Sequence, residues 1–265
     1  MNVKEVSKSI IKTYRKTIWK MTIKAIDEYK MIEEGDKIAV CISGGKDSFL
    51  LACVLREIKK HYKVKFDLKY IVMNPGYKSV HLDKIKENAR ILELPIEIFD
   101  TSIFNDVQSE SNPCYLCARK RRGHLYNKAK ELGCNKIALG HHFDDVIETV
   151  MLNILYAGQF GSMVPKLKSD HYEGLELIRP LYLVRENDII KWSKHNELTF
   201  IDCACKVASK KTDSKRHEMK ELIKKLKENY EDVDKNIFSS TKNVNLQTIL
   251  GYYDGDDKTN FLDRY

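Results

Sequence analysis

The stretch from position 37 to 55 constrains the fold of this chain more than any other part of it. An apolar run from Lys37 to Ile42 predicts a buried strand, and an apolar run that begins at Phe49 predicts a helix. Between them, residues 43–48 have the sequence Ser-Gly-Gly-Lys-Asp-Ser. Adjacent glycines let a backbone approach a ligand closely, and a helix N-terminus offers unpaired N–H groups to an anion. The stretch predicts a phosphate-binding loop, although an ordinary strand–turn–helix connection with two glycines would have the same outline.

Strand and helix patterns alternate after this loop. Strands are predicted at 66–73, 96–100, 136–139 and 175–183, and helices at 48–63, 81–92, 114–132, 145–156 and 185–196. The alternation predicts an α/β fold, a doubly wound parallel sheet with helical N- and C-terminal extensions. Ligands bind such sheets at the carboxyl ends of the strands. The glycine loop, the turn after Met73 and the turn at Gly140 should therefore meet in one crevice.

Three regions are predicted along the chain: an N-terminal helical segment at 1–31, the α/β domain at 32–185, and a C-terminal helical region at 186–265. The last predicted strand contains Pro180, which places it at a sheet edge or places the proline at the strand's end. Residues 157–170 are expected to form an irregular loop, 232–250 another helix, and the last fifteen residues a polar tail.

Composition narrows the class of protein. Hydrophobic residues make up 43% and charged residues 32% of the 265 positions, as in a globular protein. No apolar run reaches the roughly 18–20 residues of a membrane helix, so we expect a cytoplasmic protein with no membrane partner. The net charge of +8 favours an acidic partner such as a nucleic acid, although a lysine-rich proteome would give the same excess.

Seven cysteines fall into two groups. Cys41, Cys53 and Cys134 lie within apolar patterns and are expected in the core. The others form a C-x-x-C at Cys114 and Cys117 and a C-x-C at Cys203 and Cys205. Two thiols plus one or two from a distant segment are what a zinc or iron–sulfur site requires. A redox pair at the C-x-x-C is the remaining alternative.

Carboxylates and one arginine complete the candidate site. Asp47, Asp144 and Asp145 are expected near the crevice, where one of them could bind Mg²⁺ or act as a base. The last two could instead simply cap a helix. Arg121 follows Cys117 by four residues, one helical turn, and could stabilise charge beside the cysteines. Other basic residues near it could contact RNA phosphate or form a solvated helix face.

The motifs together resemble one family. The glycine loop matches the S-G-G-x-D-S motif of PP-loop ATP pyrophosphatases and lacks the spacing of a Walker loop. The further motifs are C-x-x-C followed by R-x-R-R-G at 114–123, G-H-H-x-D-D at 140–145, R-P-L at 179–181, and the late cysteines. This set resembles the TtcA/TtuA family of tRNA thiolases, its TtcA side more closely, over about residues 15–245.

The resemblance implies a reaction and its cofactors. ATP adenylates a tRNA pyrimidine, and a [4Fe-4S] cluster held by three cysteines carries the sulfur that displaces AMP, which for the TtcA side gives 2-thiocytidine. The implied partners are tRNA, a sulfur donor (a cysteine desulfurase or inorganic sulfide) and a second copy in a homodimer. The nucleotide and Mg²⁺ would be bound by Ser43, Gly44, Gly45, Lys46, Asp47, Ser48, Met73, Gly140 and His141. The residues expected to act in catalysis are Asp47, Asp144, Asp145 and Arg121.

The third cluster ligand is ambiguous, because the TtcA pattern has C-x-x-C where this chain has the C-x-C at 203–205. We favour Cys205 beside Cys114 and Cys117, with Cys203 as the alternative. Other activities stay open: a PP-loop thiolase or ligase for another tRNA base or a small molecule, or a zinc-stabilised PP-loop ATPase. A nucleotide- or metal-binding protein without catalysis is a further alternative, against which the intact Lys46 and Asp47 argue.

Overall fold

The computed structural model describes residues 2–103, 113–201 and 215–265, without the side chains of residues 113–115, 117 and 118. The chain divides into two compact units. One comprises Met1–Val146 and Met163–Ser214, and the other comprises Ile147–Ser162 and Lys215–Tyr265. The regional boundaries predicted at residues 31 and 185 stay a prediction.

A six-stranded sheet organises the first unit, with the strand order β3-β2-β1-β4-β6-β5. The strands are β1 (Lys37–Cys41), β2 (Asp67–Asn74), β3 (Ile96–Asp100), β4 (Lys136–Ala138), β5 (Lys166–Lys168) and β6 (Glu176–Ile178). All neighbours pair in parallel except β5, which pairs antiparallel with β6. The predicted doubly wound, mainly parallel sheet is confirmed.

Helices follow the strands as the sequence predicts. They are α1 (Val3–Lys8), α2 (Lys20–Glu28), α3 (Lys46–His61), α4 (Ser79–Ile91), α5 (Pro113–Glu131), α6 (Phe143–Leu152), α7 (Glu186–His195), α8 (Lys215–Asn229) and α9 (Val233–Ser240). Short π-helical segments occupy Ser9–Thr13, Arg15–Trp19 and Asn153–Ala157. Among the helices of the described ranges, none has the length and apolar character that a membrane crossing requires.

Both faces of the sheet are covered by apolar packing. On the face that carries Ala39 and Cys41, the buried neighbours include Tyr126 and Ala129 of α5. Helix α3 is buried almost all round in its first half, from Phe49 to Leu55, as its continuous apolar run predicts. This burial anchors the helix whose N-terminus follows the glycine loop.

The N-terminal segment packs on the sheet domain, as the helical spacing of its apolar residues predicts. Val6 and Ile10 are fully buried, and their lysine neighbours lie outward. Two polar contacts hold the segment in register. Ser7 Oγ donates to Glu57 Oε1 at 2.7 Å, and Asn196 Nδ2 donates to Ser9 Oγ at 3.1 Å.

Four details of the predicted secondary structure are wrong. The strand expected at 175–183 ends at Ile178, because Arg179-Pro180 leaves the ladder there. The loop expected at 157–170 contains β5, a three-residue strand that is too short to show the alternation of a strand.

The other two differences lie in the C-terminal region. The helix expected at 232–250 stops at Ser240. The expected polar tail forms a hairpin, β7 (Gly251–Asp254) and β8 (Asp257–Asn260), whose two-residue turn has a glycine with positive φ, Gly255, at its first position.

A buried charge cluster ties together the amino ends of the central strands. Lys136, at the start of β4, is only 2% exposed. Its Nζ donates to the carbonyl of Met31 at 3.0 Å and pairs with Asp36 at 2.9 Å and Glu176 at 3.4 Å. Asp36 is buried as well and accepts a further hydrogen bond from Asn135 Nδ2 at 2.7 Å. Each buried charge is therefore paired and hydrogen-bonded, as burial requires.

We predict that Lys136→Ala destabilises the fold by about 3–5 kcal/mol, because it leaves the buried Asp36 carboxylate without its cation. Urea unfolding at pH 7 measures the loss. The matched control is Lys63→Ala, whose exposed pair with Asp27 should be worth less than about 1 kcal/mol. Equal losses in the two variants would contradict the assigned role of Lys136.

Candidate active site

The candidate site lies where the sheet reverses its strand order, between β1 and β4. The glycine loop follows β1 and Gly140 follows β4, so both lie at the carboxyl edge where such sheets bind ligands. The two segments touch closely: a Cβ atom on Gly140 would lie 3.0 Å from the carbonyl carbon of Asp47. Only glycine fits at this position without a shift of the backbone.

A cleft of about 420 Å³ opens at this edge. Of the residues that line it, the sequence had predicted Ser43, Asp47, Ser48, Met73, Arg121, Gly140, His141 and Asp145 for the site. The structure thus brings together side chains from four segments that are far apart in sequence. Gly44, Gly45, Lys46 and Asp144 lie in or beside these segments but do not line the cleft.

The glycine loop is held in shape by its own hydrogen bonds. Ser48 Oγ donates to the carbonyl of Gly45 at 2.9 Å and accepts from the N–H of Ser43 at 3.1 Å. Gly44 has a φ of +96°, in the region that favours glycine. Its carbonyl accepts a hydrogen bond from the N–H of Ile201 at 3.2 Å. The Ser48 hydroxyl therefore stabilises the loop from within.

Asp47 has an unsatisfied carboxylate oxygen in the cleft wall. Its Oδ2 accepts from Lys46 Nζ at 3.3 Å. Its buried Oδ1 also lies 3.3 Å from that ammonium, but it accepts no hydrogen bond from the residues that the structure describes. Burial raises the pKa of Asp47, while the nearby His142 and Lys46 oppose the increase. A buried oxygen without a donor is a suitable ligand for a cation, and Mg²⁺ prefers carboxylate oxygens.

Lys46 is held between two carboxylates. Its Nζ lies 3.3 Å from Asp47 and 3.1 Å from Glu186 Oε1. Burial lowers the pKa of Lys46, but the two carboxylates outweigh this effect and raise it above its usual value. Lys46 is therefore a firmly charged cation at the start of α3. No local sequence pattern indicates the contact with Glu186, which lies 140 positions away.

The two aspartates of the G-H-H-x-D-D motif have different surroundings. Asp144 Oδ2 accepts the N–H of Glu186 at 2.7 Å and so satisfies the first turn of α7. Asp145 Oδ2 accepts the N–H of His142 at 2.9 Å at the start of α6, and Asp145 also lines the cleft. The buried His142 lies within 4 Å of Asp47, Asp144 and Asp145. Both aspartates cap helices, and only Asp145 faces the cleft.

His141 is held by an arginine that the sequence marked only as part of the R-P-L motif. Arg179 is 8% exposed and donates from Nε to His141 Nδ1 at 3.3 Å. It also donates from Nη1 to the carbonyl of Val164. Burial lowers the pKa of Arg179 to about 10. Nothing in the local sequence could have indicated this contact, because the two residues are 38 positions apart.

The cysteine predictions lie largely outside the described part of the chain. Cys203 and Cys205 lie outside the described residues, and so do the side chains of Cys114 and Cys117. The backbone of Cys114 and Cys117 belongs to the first turns of α5. In the ranges 2–103, 113–201 and 215–265, no three His, Cys, Asp or Glu side chains are grouped to hold a metal ion. The metal site predicted at Cys114, Cys117 and either Cys205 or Cys203 stays a prediction.

The other three cysteines are core residues, as predicted: Cys41, Cys53 and Cys134 are buried. Burial raises the pKa of the Cys41 and Cys53 thiols to about 12, so neither ionises near neutral pH. Cys41 additionally forms part of the cleft lining, at the end of β1.

A glycine loop at the switch point of a doubly wound sheet, with a lysine and aspartates around the cleft, defines a nucleotide-binding enzyme of the PP-loop class. Residues 15–226 match the family model for the PP-loop domain, ATP_bind_3. A tRNA-cytidine(32) 2-sulfurtransferase of Geotalea uraniireducens is 38% identical over 86% of this chain and 91% of its own length. The enzyme of that name from Aliivibrio fischeri is 38% identical over 87% and 75%. The chain belongs to the PP-loop family and, within it, to the tRNA-cytidine(32) 2-sulfurtransferases, the TtcA family.

Among solved structures, the U34-tRNA thiolase NcsA of Methanococcus maripaludis, determined with its [4Fe-4S] cluster, shares the fold. The TM-score is 0.67 over 84% of this chain and 76% of that one, at 22% identity. At this identity the likeness supports the fold alone.

We predict that Asp47→Asn stabilises the ligand-free protein at pH 7 by about 1 kcal/mol, a few degrees in melting temperature. The pKa of Asp47 is raised in the folded state, so its ionisation opposes folding. The penalty is absent below the unfolded pKa near 4, grows as the pH rises from there towards the raised folded pKa, and is complete above it. Thermal unfolding at pH 4 and pH 7 should therefore show a gain only at pH 7.

The control is Asp27→Asn. Burial raises the pKa of Asp27, but its hydrogen bonds from Lys63 and Tyr62 outweigh that effect, so the net shift is downward. This variant should lose stability at pH 7 rather than gain it. A loss of stability in Asp47→Asn would contradict our account of its carboxylate.

Proposed function

We propose that this chain is an ATP-dependent tRNA thiolase that replaces the C2 oxygen of a tRNA cytidine with sulfur. The observation that carries the proposal is the buried, unsatisfied Asp47 oxygen beside a phosphate-binding loop, in a chain of the 2-sulfurtransferase family. The reaction has two halves. The base oxygen attacks the α-phosphorus of ATP and pyrophosphate leaves; a sulfide-level sulfur then attacks C2, and AMP leaves with the oxygen.

The described residues suit the first half. The loop at 43–48 would bind phosphate oxygens through its N–H groups, and α3 presents its N-terminus to them. Lys46 would add a positive charge once phosphate competes for it with Asp47 and Glu186. We assign Asp47 and Asp145 to Mg²⁺, because both line the cleft and Asp47 has a buried oxygen that accepts no hydrogen bond. Arg121, also in the lining, would offset charge on the leaving group.

For the second half we propose a [4Fe-4S] cluster bound by Cys114, Cys117 and Cys205, with Cys203 as the alternative third ligand. Three thiolates suit such a cluster, which would supply an iron site where sulfur can be held as a nucleophile. The flanks of both cysteine segments support this assignment. Leu116 packs against the buried cluster of Met73 and Ile103. The N–H of Ile201, two residues before Cys203, donates to the carbonyl of Gly44 in the loop.

The tRNA would approach along α5. Arg119, Lys120 and Arg122 lie in the middle of this helix and are exposed, and Arg122 also lines the cleft. Exposed cations at this position suit contacts with RNA phosphate. A cytoplasmic location, a homodimer, and a cysteine desulfurase or inorganic sulfide as the sulfur source belong to the same proposal.

We predict that deletion of the gene abolishes 2-thiocytidine in bulk tRNA, measured by mass spectrometry of nucleosides, and that the wild-type gene restores it. Thiouridines in the same digest are the internal control and should not change. Unchanged 2-thiocytidine would overturn the substrate assignment, and loss of a thiouridine instead would indicate another tRNA base.

We predict that Cys114→Ala abolishes thiolation but changes the ATP affinity less than about 3-fold, because the thiols and the loop act in separate halves. Anaerobically purified wild type should be brown, with iron and sulfide, and the variant should not. The matched control is Cys134→Ala, a buried thiol outside the site, which should keep both properties. Colourless wild type with stoichiometric zinc would overturn the cluster assignment.

A further inference from the structure

Arg179 is a buried cation that donates a hydrogen bond to one side chain of the candidate site, His141. Its guanidinium donates from Nε to His141 Nδ1 at 3.3 Å and from Nη1 to the carbonyl of Val164. Among the described residues, no carboxylate lies within ion-pair distance of it. A guanidinium has only donors, so it cannot accept a proton from the imidazole. The contact therefore determines which nitrogen of His141 is the acceptor.

The consequence for His141 is a defined tautomer. Because Nδ1 accepts from Arg179, Nδ1 carries a lone pair, and the proton of the neutral ring is on Nε2. A proton on Nδ1 would point at the N–H that Arg179 directs there, so the hydrogen bond requires a lone pair on Nδ1. His141 lines the cleft next to Gly140 and near Asp145. Its ring is thus a neutral hydrogen-bond donor in the wall of the nucleotide site.

We propose that Arg179 is a positioning residue: it holds His141 as the neutral Nε2–H tautomer, and His141 donates that hydrogen to a phosphate oxygen of the nucleotide. This inference rests on the proposed ATP-dependent function. A donor fixed before the reaction needs no reorganisation when negative charge develops on the phosphate. Lysine cannot replace arginine in this role, because its ammonium lacks the planar, directed N–H of the guanidinium.

A purely structural role for Arg179 can be separated from this one. Arg179 also anchors the segment at Val164, so its loss could act through that segment. Tyr182 anchors the neighbouring residue, because its hydroxyl donates to the carbonyl of Met163 at 2.8 Å. Tyr182→Phe therefore removes a comparable anchor from the same segment and leaves the Arg179–His141 contact in place. It is the matched control.

The first test reads the tautomer directly in the wild-type protein without tRNA. Nitrogen-15 NMR of labelled histidine, with His141→Gln to assign the signal, should show His141 as a neutral ring protonated at Nε2 at pH 7. A ring protonated on Nδ1, alone or as imidazolium, would overturn the proposal. Because this measurement needs no thiolation activity, it can fail or succeed independently of the proposed function.

The second test is a double-mutant cycle on the cluster-loaded enzyme with tRNA, following ATP conversion to AMP. Arg179→Gln is expected to lower kcat by about 10- to 100-fold, with less than about 3-fold change in KM for ATP. His141→Gln keeps an N–H at the Nε2 position without needing a tautomer. In that background, Arg179→Gln should cost less than about 2-fold, and Tyr182→Phe in the wild-type background should also cost less than about 2-fold.

The outcomes are distinct. Full additivity of the Arg179 and His141 substitutions, or an equal loss in Tyr182→Phe, would show that Arg179 supports the segment at 163–164 instead and would overturn the proposal. Thermal unfolding checks that Arg179→Gln is folded; if it is not, the tautomer measured in the wild type decides. Arg179→Lys should lose nearly as much kcat as Arg179→Gln, and full activity of Arg179→Lys would also contradict the inference.

Discussion

The parallel pairing of β1 with β4 is the constraint on which the rest of the site depends. The register sets Ile38 opposite Lys136, and it brings the ends of both strands to the same edge of the sheet. The backbone at Gly140 then meets the backbone at Asp47 so closely that a single Cβ would require the backbone to shift. Since the strands diverge in order at this point, the space above them stays open. Loop, histidine and aspartates surround one cleft because of this contact.

Buried charges are paired differently at the amino ends and at the carboxyl ends of the parallel strands. At the amino edge, Lys136 and Asp36 satisfy each other and their neighbours, so their burial supports the fold. At the carboxyl edge, one oxygen of Asp47 lies near the Lys46 ammonium but accepts no hydrogen bond, and Arg179 has no carboxylate within ion-pair distance among the described residues. Such incomplete pairing costs stability in the ligand-free state. It is tolerated where a ligand can complete it, which is why the functional edge and the stabilising edge are opposite ends of the same strands.

A feature of the fold or the site could be predicted from the sequence where the residues that determine it lie close together in the chain. The glycine loop, the parallel strands and their shared crevice depend on patterns within ten to twenty residues, and the sequence predicts them correctly. The strand β5 exists only through its pairing with β6, so its three residues carry no period of their own. The bonds from Lys46 to Glu186 and from Arg179 to His141 join residues 140 and 38 positions apart. No local pattern encodes such contacts, since the fold alone brings the partners together.

Residues beside the two cysteine segments contact the glycine loop and the neighbouring strand ends. These contacts suggest how the adenylation and sulfur-transfer halves of the reaction could be coupled. Leu116, between the two cysteines of α5, packs in the cluster with Met73 and Ile103 at the carboxyl ends of the strands. Ile201, just before the C-x-C segment, bonds to Gly44, and its side chain would contact any Cβ placed there. A movement of the loop on nucleotide binding would therefore displace Ile201 directly, because packed groups at contact distance cannot move independently. The contacts of Gly44 and of the cluster around Met73 favour one site, in which the loop and the cysteine segments are supported at the same ends of the strands.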